Sequence, residues 1–377
     1  MSAAGIIFSN VHDDNLSELT RVRSLGAVPF GCRYRLIDFT LSNMVNSEIT
    51  NISIVTNTNY NSLLDHIGSG KDWDLARRSG GVKFYPPNIM PLQNFYETKY
   101  ETRLGALRSL VTVIENIPEE YVVLSDCDVI CNINLNDVIS AHKNNGADMT
   151  VVVKKLDVDR DTARRNVFVK SDADGRINEV LVNPNEYEGD GEMVLNIIVM
   201  SRKYLYDVVC EAQVKNKTSF SLDILAEKFA TEKYYTYHCD SHFACMSSLE
   251  SYFKENMELI ANEAVFDELF NTENRQVFTK IRNSAPTYYS EGSSVKNSLI
   301  ADGCIVEGTV ENSILFRGVK VGRGATVKNS ILFQDAFLDE NVSVNYVIAD
   351  KNVSVRNAKE LSGCESLPYY IDKGKMI

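Results

Sequence analysis

The stretch ENSILFRGVKVGRGATVKNSIL, residues 311–332, begins and ends with nearly the same five residues. Related segments start at Lys296 and Val344, which places the repeated asparagines at positions 297, 312, 329 and 345, about every sixteen residues. Self-similarity at a short period is typical of a solenoid in which each repeat forms one coil. Units of about six residues predict a β-helix with three short strands per coil, and glycine suits corners of positive φ. An ordinary antiparallel β domain is the alternative.

The chain before this region, up to about residue 262, has a different pattern. Short β-branched runs at 52–56, 121–125 and 149–153 predict buried strands, and residues 104–117, 135–143 and 248–266 predict helices. Such alternation predicts an α/β domain with a mixed, mostly parallel sheet. We therefore divide the chain into an α/β domain (1–262), a linker (263–284) and a β-helix domain (285–377).

Composition excludes several classes of protein. The 377 residues carry a net charge of −12, which makes a nucleic acid or an anionic membrane an improbable partner. No run of about 18 apolar residues predicts a membrane span, and the N-terminus lacks the basic region of a signal peptide. The eight cysteines include no Cys-x-x-Cys pair, which argues against zinc, and reduced thiols in the cytoplasm are expected.

Several long segments resemble the ADP-glucose pyrophosphorylase family, also called glucose-1-phosphate adenylyltransferases. They are VPFGCRYRLIDFTLSNMVNSEI (28–49), SLLDHIGSGKDWDL (62–75), the strand end at 121–128, SLESYFKENMEL (248–259) and the repeats at 301–333. The resemblance covers nearly the whole chain. It implies a glycosyltransferase-A-like nucleotidyltransferase domain followed by a left-handed β-helix. Catalytic family members are tetramers that join ATP to glucose 1-phosphate, and the ADP-glucose formed feeds glycogen or starch synthesis.

The loop after the first predicted strand departs from the family. Active members read roughly GGxGTRLxxLT, and this chain reads NVHDDNLSELT at residues 10–20. The Gly-Thr-Arg triplet therefore corresponds to Asp13, Asp14 and Asn15. Glycines let backbone N–H groups approach phosphates closely, whereas two carboxylates repel a triphosphate. The acidic residues could instead form a solvated turn, and on either interpretation the loop is a poor cradle for ATP.

Three further elements of the family's site have lost their chemistry. A phosphate-binding lysine is replaced by Leu25, and the sugar-phosphate pair of Glu and Lys is replaced by Val182 and Asn183. One of two metal-binding aspartates is replaced by Cys245, and a neutral thiol is a poor ligand for Mg²⁺. We therefore expect no intact catalytic site. Basic and glycine residues that could persist as a phosphate-binding remnant are Gly31, Arg33, Arg35 and Arg103.

The other metal-binding aspartate is retained. By spacing it is Asp128, and Asp126 lies beside it at the end of the same predicted strand. With its second carboxylate lost, the metal site is expected to be weak and vestigial. A structural role for Asp128 as a turn acceptor is an equal alternative.

These departures resemble the regulatory, non-catalytic subunit that some bacteria carry beside a catalytic one. The resemblance implies a cytoplasmic chain that needs no cofactor itself, while Mg²⁺ belongs to the catalytic partner. It implies assembly with catalytic subunits into a heterotetramer through the β-helix and the segment 28–39, with a homo-oligomer alone and a small-molecule effector as further expectations. Two alternatives remain: an active pyrophosphorylase using Asp126, Asp128, Arg33, Lys83 and Arg103, or a sensor of sugar phosphates or nucleotides.

Overall fold

The computed structural model describes residues 2–86, 102–356 and 358–377. The strands of the N-terminal domain are β1 (Ala3–Phe8), β2 (Pro29–Phe30), β3 (Tyr34–Arg35), β4 (Asn51–Val55), β5 (Gly81–Tyr85), β6 (Tyr121–Asp126), β7 (Val129–Cys131), β8 (Met149–Val158), β9 (Val167–Ser171), β10 (Ile177–Val182), β11 (Gly189–Ser201), β12 (Tyr234–His238) and β13 (Phe243–Cys245). Its α-helices are α1 (Ser17–Thr20), α2 (Leu36–Asn46), α3 (Asn61–Ile67), α4 (Arg103–Ser109), α5 (Val111–Glu115), α6 (Leu135–Asn144), α7 (Arg160–Ala163), α8 (Arg202–Val214), α9 (Leu249–Ala261) and α10 (Glu263–Phe270).

The central sheet is mixed. Strands β6, β1, β4 and β5 lie side by side and run parallel, whereas β11 runs antiparallel to β6, β8 and β9. The apolar, β-branched residues of β1, β4 and β6 are buried on both faces of the sheet, which is typical of parallel strands covered by helices. The α/β fold class is confirmed.

Two predicted helices are each broken into two. The predicted helix over 104–117 is interrupted at Leu110 between α4 and α5. The predicted helix over 248–266 ends at Ala261, because Asn262 adopts an extended conformation and its side chain caps the N-terminus of α10. Helix α10 thus lies inside the segment predicted to be a linker.

The parallel strands place the loop of interest beside the predicted metal ligand. In the register of β1 and β6, Phe8 lies opposite Asp126. Because the carboxyl ends of parallel strands meet at one edge of a sheet, residues 9–16 and 126–128 lie together there.

The C-terminal domain is a left-handed β-helix of hexapeptide type. Its strands form three parallel sheets of five strands, one sheet on each side of the coil. The first sheet contains β14 (Tyr288–Tyr289), β17 (Ile305–Val306), β20 (Lys320–Val321), β23 (Phe337–Leu338) and β26 (Ser354–Val355). The second contains β15 (Ser294–Lys296), β18 (Thr309–Glu311), β21 (Thr326–Lys328), β24 (Ser343–Asn345) and β27 (Glu360–Ser362), and the third contains β16 (Leu299–Ile300), β19 (Ile314–Leu315), β22 (Ile331–Leu332), β25 (Val347–Ala349) and β28 (Tyr369–Ile371).

The repeated asparagines form one corner of the coil. Asn297, Asn312 and Asn329 have φ of 41°, 46° and 42°, a left-handed conformation that asparagine tolerates better than other side-chain-bearing residues. The fourth repeated asparagine, Asn345, lies one position before the corner. Asn345 pairs with Lys328 in the strand register, and Tyr346, with φ of 52°, takes the corner.

The two domains share an apolar core. Its α/β residues include Leu19, Phe30 and Tyr252, and these belong to the same buried cluster as Phe316 and Phe333 of the β-helix. The ring of Tyr252 meets that of Phe333 edge-on at 6.4 Å. The β-helix is therefore packed against the α/β domain by apolar burial as well as by polar contacts.

Close stacking of coils predicts a glycine requirement at Gly322. A Cβ atom there would lie 2.8 Å from the carbonyl carbon of Asp339 and 2.9 Å from the backbone nitrogen of Glu340. We expect Gly322→Ala to lower the free energy of unfolding by about 1–3 kcal/mol, because backbone atoms of the next coil must move. Chemical denaturation measures this, and Glu340→Ala, at an exposed position of the same corner, should change stability by less than about 0.5 kcal/mol. Equal effects of the two changes would contradict the prediction.

Within the described residues, no helix is both long and apolar enough to cross a bilayer.

Candidate functional site

The loop after β1 is folded onto itself. The side-chain oxygen of Asn10 accepts hydrogen bonds from the backbone N–H of Asn57 at 2.9 Å and from the hydroxyl of Ser9 at 2.8 Å. The amide nitrogen of Asn10 donates to Asp13 at 2.7 Å and to the carbonyl oxygen of Thr58 at 3.1 Å. A side chain thus fills the position of a family glycine and fastens the loop to the chain that follows β4.

Asp13 closes the other side of the loop. One carboxylate oxygen accepts the Asn10 amide, and the other accepts the backbone N–H of Leu25 at 2.7 Å. Burial raises the pKa of Asp13 to about 6, although these two hydrogen bonds oppose the rise. The carboxylate thus ties Asn10 to the backbone at Leu25. Asp14 is exposed, and Asn15 donates weakly, at 3.5 Å, to the carbonyl oxygen of Met246.

A buried cluster of charged residues lies under this loop. The Nε2 atom of His12 lies 2.8 Å from Asp126 and 3.5 Å from Asp128. Arg103, at the start of α4, forms a two-pronged ion pair with Asp126, of which the Nε contact measures 3.1 Å. Asp126, Asp128 and Arg103 are each less than a tenth exposed. Two buried carboxyl groups therefore face one buried basic side chain, Arg103, and one half-buried one, His12.

Asn196 joins the two halves of the cluster. A register shift in β11 puts Asn196 in a left-handed conformation with φ of 56°. Its side-chain oxygen accepts from Arg103 at 2.9 Å, and its amide donates to Asp128 at 2.9 Å. The rings of Phe8 and Phe220 lie within 6 Å of the Arg103 guanidinium carbon. Arg103 is thus held on several sides.

The ionisation of the cluster follows from burial and from these partners. Burial alone would raise the pKa of Asp126, but Arg103 and His12 outweigh it and lower the pKa. Burial raises the pKa of Asp128 despite the attraction of His12. For His12, burial disfavours the imidazolium, yet Asp128 and Asp126 outweigh it and raise the pKa of His12 to about 9. The imidazole of His12 is therefore charged at neutral pH.

Comparison with known proteins agrees with this fold. Residues 5–261 match the nucleotidyl transferase family, and residues 285–363 match the GlmU-like C-terminal hexapeptide family. A glycogen biosynthesis protein GlgD of Bacillus subtilis (strain 168) is 33% identical over 374 residues, which cover 98% of this chain and 95% of the relative. The chain belongs to the ADP-glucose pyrophosphorylase family. It is of the GlgD type, as the resemblance predicted.

The relatives include GlgD proteins and glucose-1-phosphate adenylyltransferases. The GlgD protein of Geobacillus stearothermophilus is 32% identical, over 86% of this chain and 82% of its own length. A glucose-1-phosphate adenylyltransferase of Thermosipho africanus (strain TCF52B) is 31% identical, over 87% of this chain and 78% of its own length.

The four residues predicted to form a phosphate-binding remnant do not lie together. Arg103 lies in the cluster with Asp126. Gly31 lies in the hairpin of β2 and β3, where its N–H donates to Asn256 of α9 at 3.0 Å. Arg35 is buried and donates to the carbonyl oxygen of Ser62 at 2.6 Å, and Arg33 is exposed beside Tyr34. Among the described residues, Gly31, Arg33 and Arg35 form no hydrogen bond or ion pair with the charged cluster.

The structure places the other residues predicted to be degenerate in different surroundings. Leu25 is buried in the interdomain core. Cys245 ends β13, and burial, with a smaller contribution from Asp128, raises the pKa of its thiol, which stays neutral. Asn183 is exposed after β10 with φ of 49°.

Sequence reasoning missed two members of the cluster. His12 was passed over, although it occupies a phosphate-loop position and could have drawn notice as a basic residue next to two acids. Asn196 had no signal, because its role depends on the irregularity in β11.

His12 gives the site a predicted dependence on pH. Its folded-state pKa of about 9 lies above the usual 6.5, so its stabilisation is complete below pH 6.5 and is lost as pH rises through 9. We expect a loss of about 2 kcal/mol across that window, since solvent screens a side chain that is 28% exposed. Urea denaturation at several pH values measures it. His12→Asn should flatten the dependence and His242→Asn should not; an unchanged slope in His12→Asn would contradict the prediction.

Proposed function

We propose that this chain is a regulatory subunit of ADP-glucose pyrophosphorylase, catalytically inactive or very weakly active, in bacterial glycogen synthesis. The observation that carries the proposal is the closed loop at residues 10–25. There the Asp13 carboxylate accepts the Leu25 N–H and the Asn10 amide, so the loop offers an acid where a nucleotide needs donors. The GlgD relatives, which are named as glycogen biosynthesis proteins, support a role in this pathway. A cytoplasmic location belongs to the same proposal.

The chemistry of the reaction supports this interpretation. An in-line attack of one phosphate on another needs cations that neutralise charge and groups that position both anions. Leu25 and Cys245 stand at positions where the family places a lysine and a metal ligand, and Asn183 stands where it places a charged residue. The apolar framework around these positions is nevertheless fully packed. A retained fold without retained chemistry favours a role in assembly.

Assembly with a catalytic subunit into a heterotetramer is the second half of the proposal. The first coil of the β-helix leaves the edges of β14, β15 and β16 without a preceding coil, and Tyr288 and Tyr289 there are 59% and 50% exposed. The segment 28–39 is a poorer surface than expected. It is buried in the chain's own interdomain core except at Arg33 and Tyr34. The first coil is therefore the better candidate surface.

The test is to mix the chain with the catalytic subunit from the same organism, in the presence of Mg²⁺ for that subunit. We expect a larger species by light scattering and a change in turnover or effector affinity of at least about fivefold, as coupling of 1–3 kcal/mol gives. Tyr288→Ser with Tyr289→Ser should weaken assembly. The matched control, Leu222→Ser, removes an equally exposed apolar side chain from the other domain. If mixing changes neither size nor turnover, the proposal is wrong.

Sensing of an anion is a second candidate function, which one observation favours. Burial and the nearby charges of Arg35 and Arg23 lower the pKa of Lys351 to about 6. The Nη1 atom of Arg23 is also buried without a hydrogen-bond partner among the described residues. Three basic side chains thus meet at the domain junction, with Asp350 as their counter-charge. Calorimetry with inorganic phosphate, fructose phosphates and ATP should detect binding that Lys351→Ala abolishes; absence of heat at millimolar ligand excludes this candidate.

A further inference from the structure

The family resemblance implies Mg²⁺ at Asp128, and the residues here do not fit it. Mg²⁺ requires near-octahedral coordination by hard oxygen atoms. Both oxygens of Asp126 accept from Arg103, and Oδ2 also lies 2.8 Å from His12. The Oδ2 atom of Asp128 accepts from Asn196, and Cys245 replaces the second carboxylate. Three of the four carboxylate oxygens of Asp126 and Asp128 thus already accept hydrogen bonds, and a thiol replaces the second metal-binding carboxylate of the family.

The guanidinium of Arg103 neutralises the charge of Asp126, as a bound metal cation would. Its guanidinium lies against Asp126, and its contact to Asn196 carries the link on to Asp128. This arrangement satisfies a buried carboxylate that would otherwise lose several kcal/mol by desolvation. The bidentate geometry is specific to arginine, since a lysine offers a single point charge.

One atom of the cluster remains unsatisfied. The Oδ1 atom of Asp128 is buried and has no hydrogen-bond partner among the described residues, and Asp128 as a whole is 3% exposed. Ligand atoms of His12, Asp126 and Asp128 also lie within 4.8 Å of one another. Convergence of three ligand side chains, together with an unpartnered oxygen on Asp128, is what a cation site requires once the present counter-ion is removed.

We propose that Arg103 is an internal counter-ion that keeps divalent metal out of the Asp126–Asp128 pair, and that removing it uncovers a metal site formed by Asp126, Asp128 and His12. The uncovered site favours Mn²⁺ over Mg²⁺, because one ligand is an imidazole nitrogen and Mg²⁺ prefers oxygen. The inference rests on the proposed function and deepens it, since it explains how a subunit without catalytic metal balances the charge of its buried carboxylates.

The experiment titrates Mn²⁺ into the purified chain and follows free Mn²⁺ by electron paramagnetic resonance. Mg²⁺ gives no such signal, so its affinity is measured by its ability to displace bound Mn²⁺. The wild-type chain should bind Mn²⁺ only weakly, with the affinity expected of exposed surface carboxylates. Arg103→Ala should bind one Mn²⁺ at least tenfold more tightly than wild type and tighter than it binds Mg²⁺. Adding Asp128→Asn to Arg103→Ala should abolish the gain. Arg108→Ala, one turn further along α4, is the matched control and should behave as wild type.

A second variant keeps the test decisive if Arg103→Ala folds poorly. Arg103→Gln retains an amide that can still donate to Asp126, and Mn²⁺ should raise its midpoint of thermal unfolding while leaving that of Arg108→Ala unchanged. Tight Mn²⁺ or Mg²⁺ binding by wild type would overturn the proposal. So would the failure of both Arg103 variants to gain a Mn²⁺ site that depends on Asp128.

These outcomes are independent of the proposed regulatory role. The titration uses the chain alone, whereas the regulatory role is tested by mixing with a catalytic subunit. Metal gain without an effect on the partner would therefore retain the counter-ion and reject the regulatory subunit, and the reverse result would do the opposite.

Discussion

Replacing Asp126 with alanine is expected to lower the free energy of unfolding by about 3–5 kcal/mol, because it leaves a buried guanidinium without its carboxylate. The Asp126 side chain is fully buried, and that of Arg103 is 8% exposed. The same change also removes the contact that holds His12 at 2.8 Å. Urea denaturation followed by circular dichroism measures the loss.

The matched control for this prediction is Asp14→Ala, which removes an exposed carboxylate from the neighbouring loop and should cost less than about 0.5 kcal/mol. A double replacement, Arg103→Met with Asp126→Ala, should cost clearly less than the two single losses added together, because the partners are coupled. A cost below about 1 kcal/mol for Asp126→Ala would contradict the buried ion pair between Arg103 and Asp126 as a source of stability.

The ion pair between the domains should have an effect of similar size. Arg23 donates to both oxygens of Asp350 at 2.7 and 2.8 Å, and the hydroxyl of Tyr370 donates to Asp350 at 2.8 Å. The Arg23 and Asp350 side chains are 2% and 0% exposed. Asp350→Ala is therefore expected to destabilise the chain by about 3–5 kcal/mol through the unpaired arginine.

A second ion pair at the same junction supplies the control. Arg21 lies 3.0 Å from Asp372, but their side chains are 66% and 39% exposed, so Arg21→Ala should cost about 0–1 kcal/mol. Limited proteolysis of the folded chain should also cut Asp350→Ala faster than Arg21→Ala, since the β-helix is then held mainly by the apolar core. Equal stability of the two variants would contradict a structural role for the buried pair.

The fold was largely predictable because its signals are local and repeated. The alternation of β-branched runs and amphipathic segments predicted the α/β domain, and the asparagine repeat predicted the β-helix. The errors arose where one residue changes a local conformation, as when Asn262 caps a new helix or Tyr346 replaces asparagine at the corner. The spacing of the asparagines does not reveal that Tyr346 takes the corner, because Asn345 lies directly before it.

The site was predictable only as a set of losses. The positions of Asp13, Leu25 and Cys245 showed what the chain lacks relative to active family members. What fills the space could not be read from the sequence, because Arg103 meets Asp126 and Asn196 across long separations in the chain. The acidic loop was expected to repel phosphate or to be solvated, whereas Asp13 is fastened to Asn10 and Leu25.

The measurement that tests the central claim most directly is ADP-glucose formation by the purified chain alone, at high protein concentration, with ATP, glucose 1-phosphate and Mg²⁺. The account predicts no product, or only a trace, and the same result for Asp128→Ala. Clear metal-dependent turnover that Asp128→Ala abolishes would contradict the account. It would mean that Asp126, Asp128 and the basic residues around them form a rebuilt catalytic site.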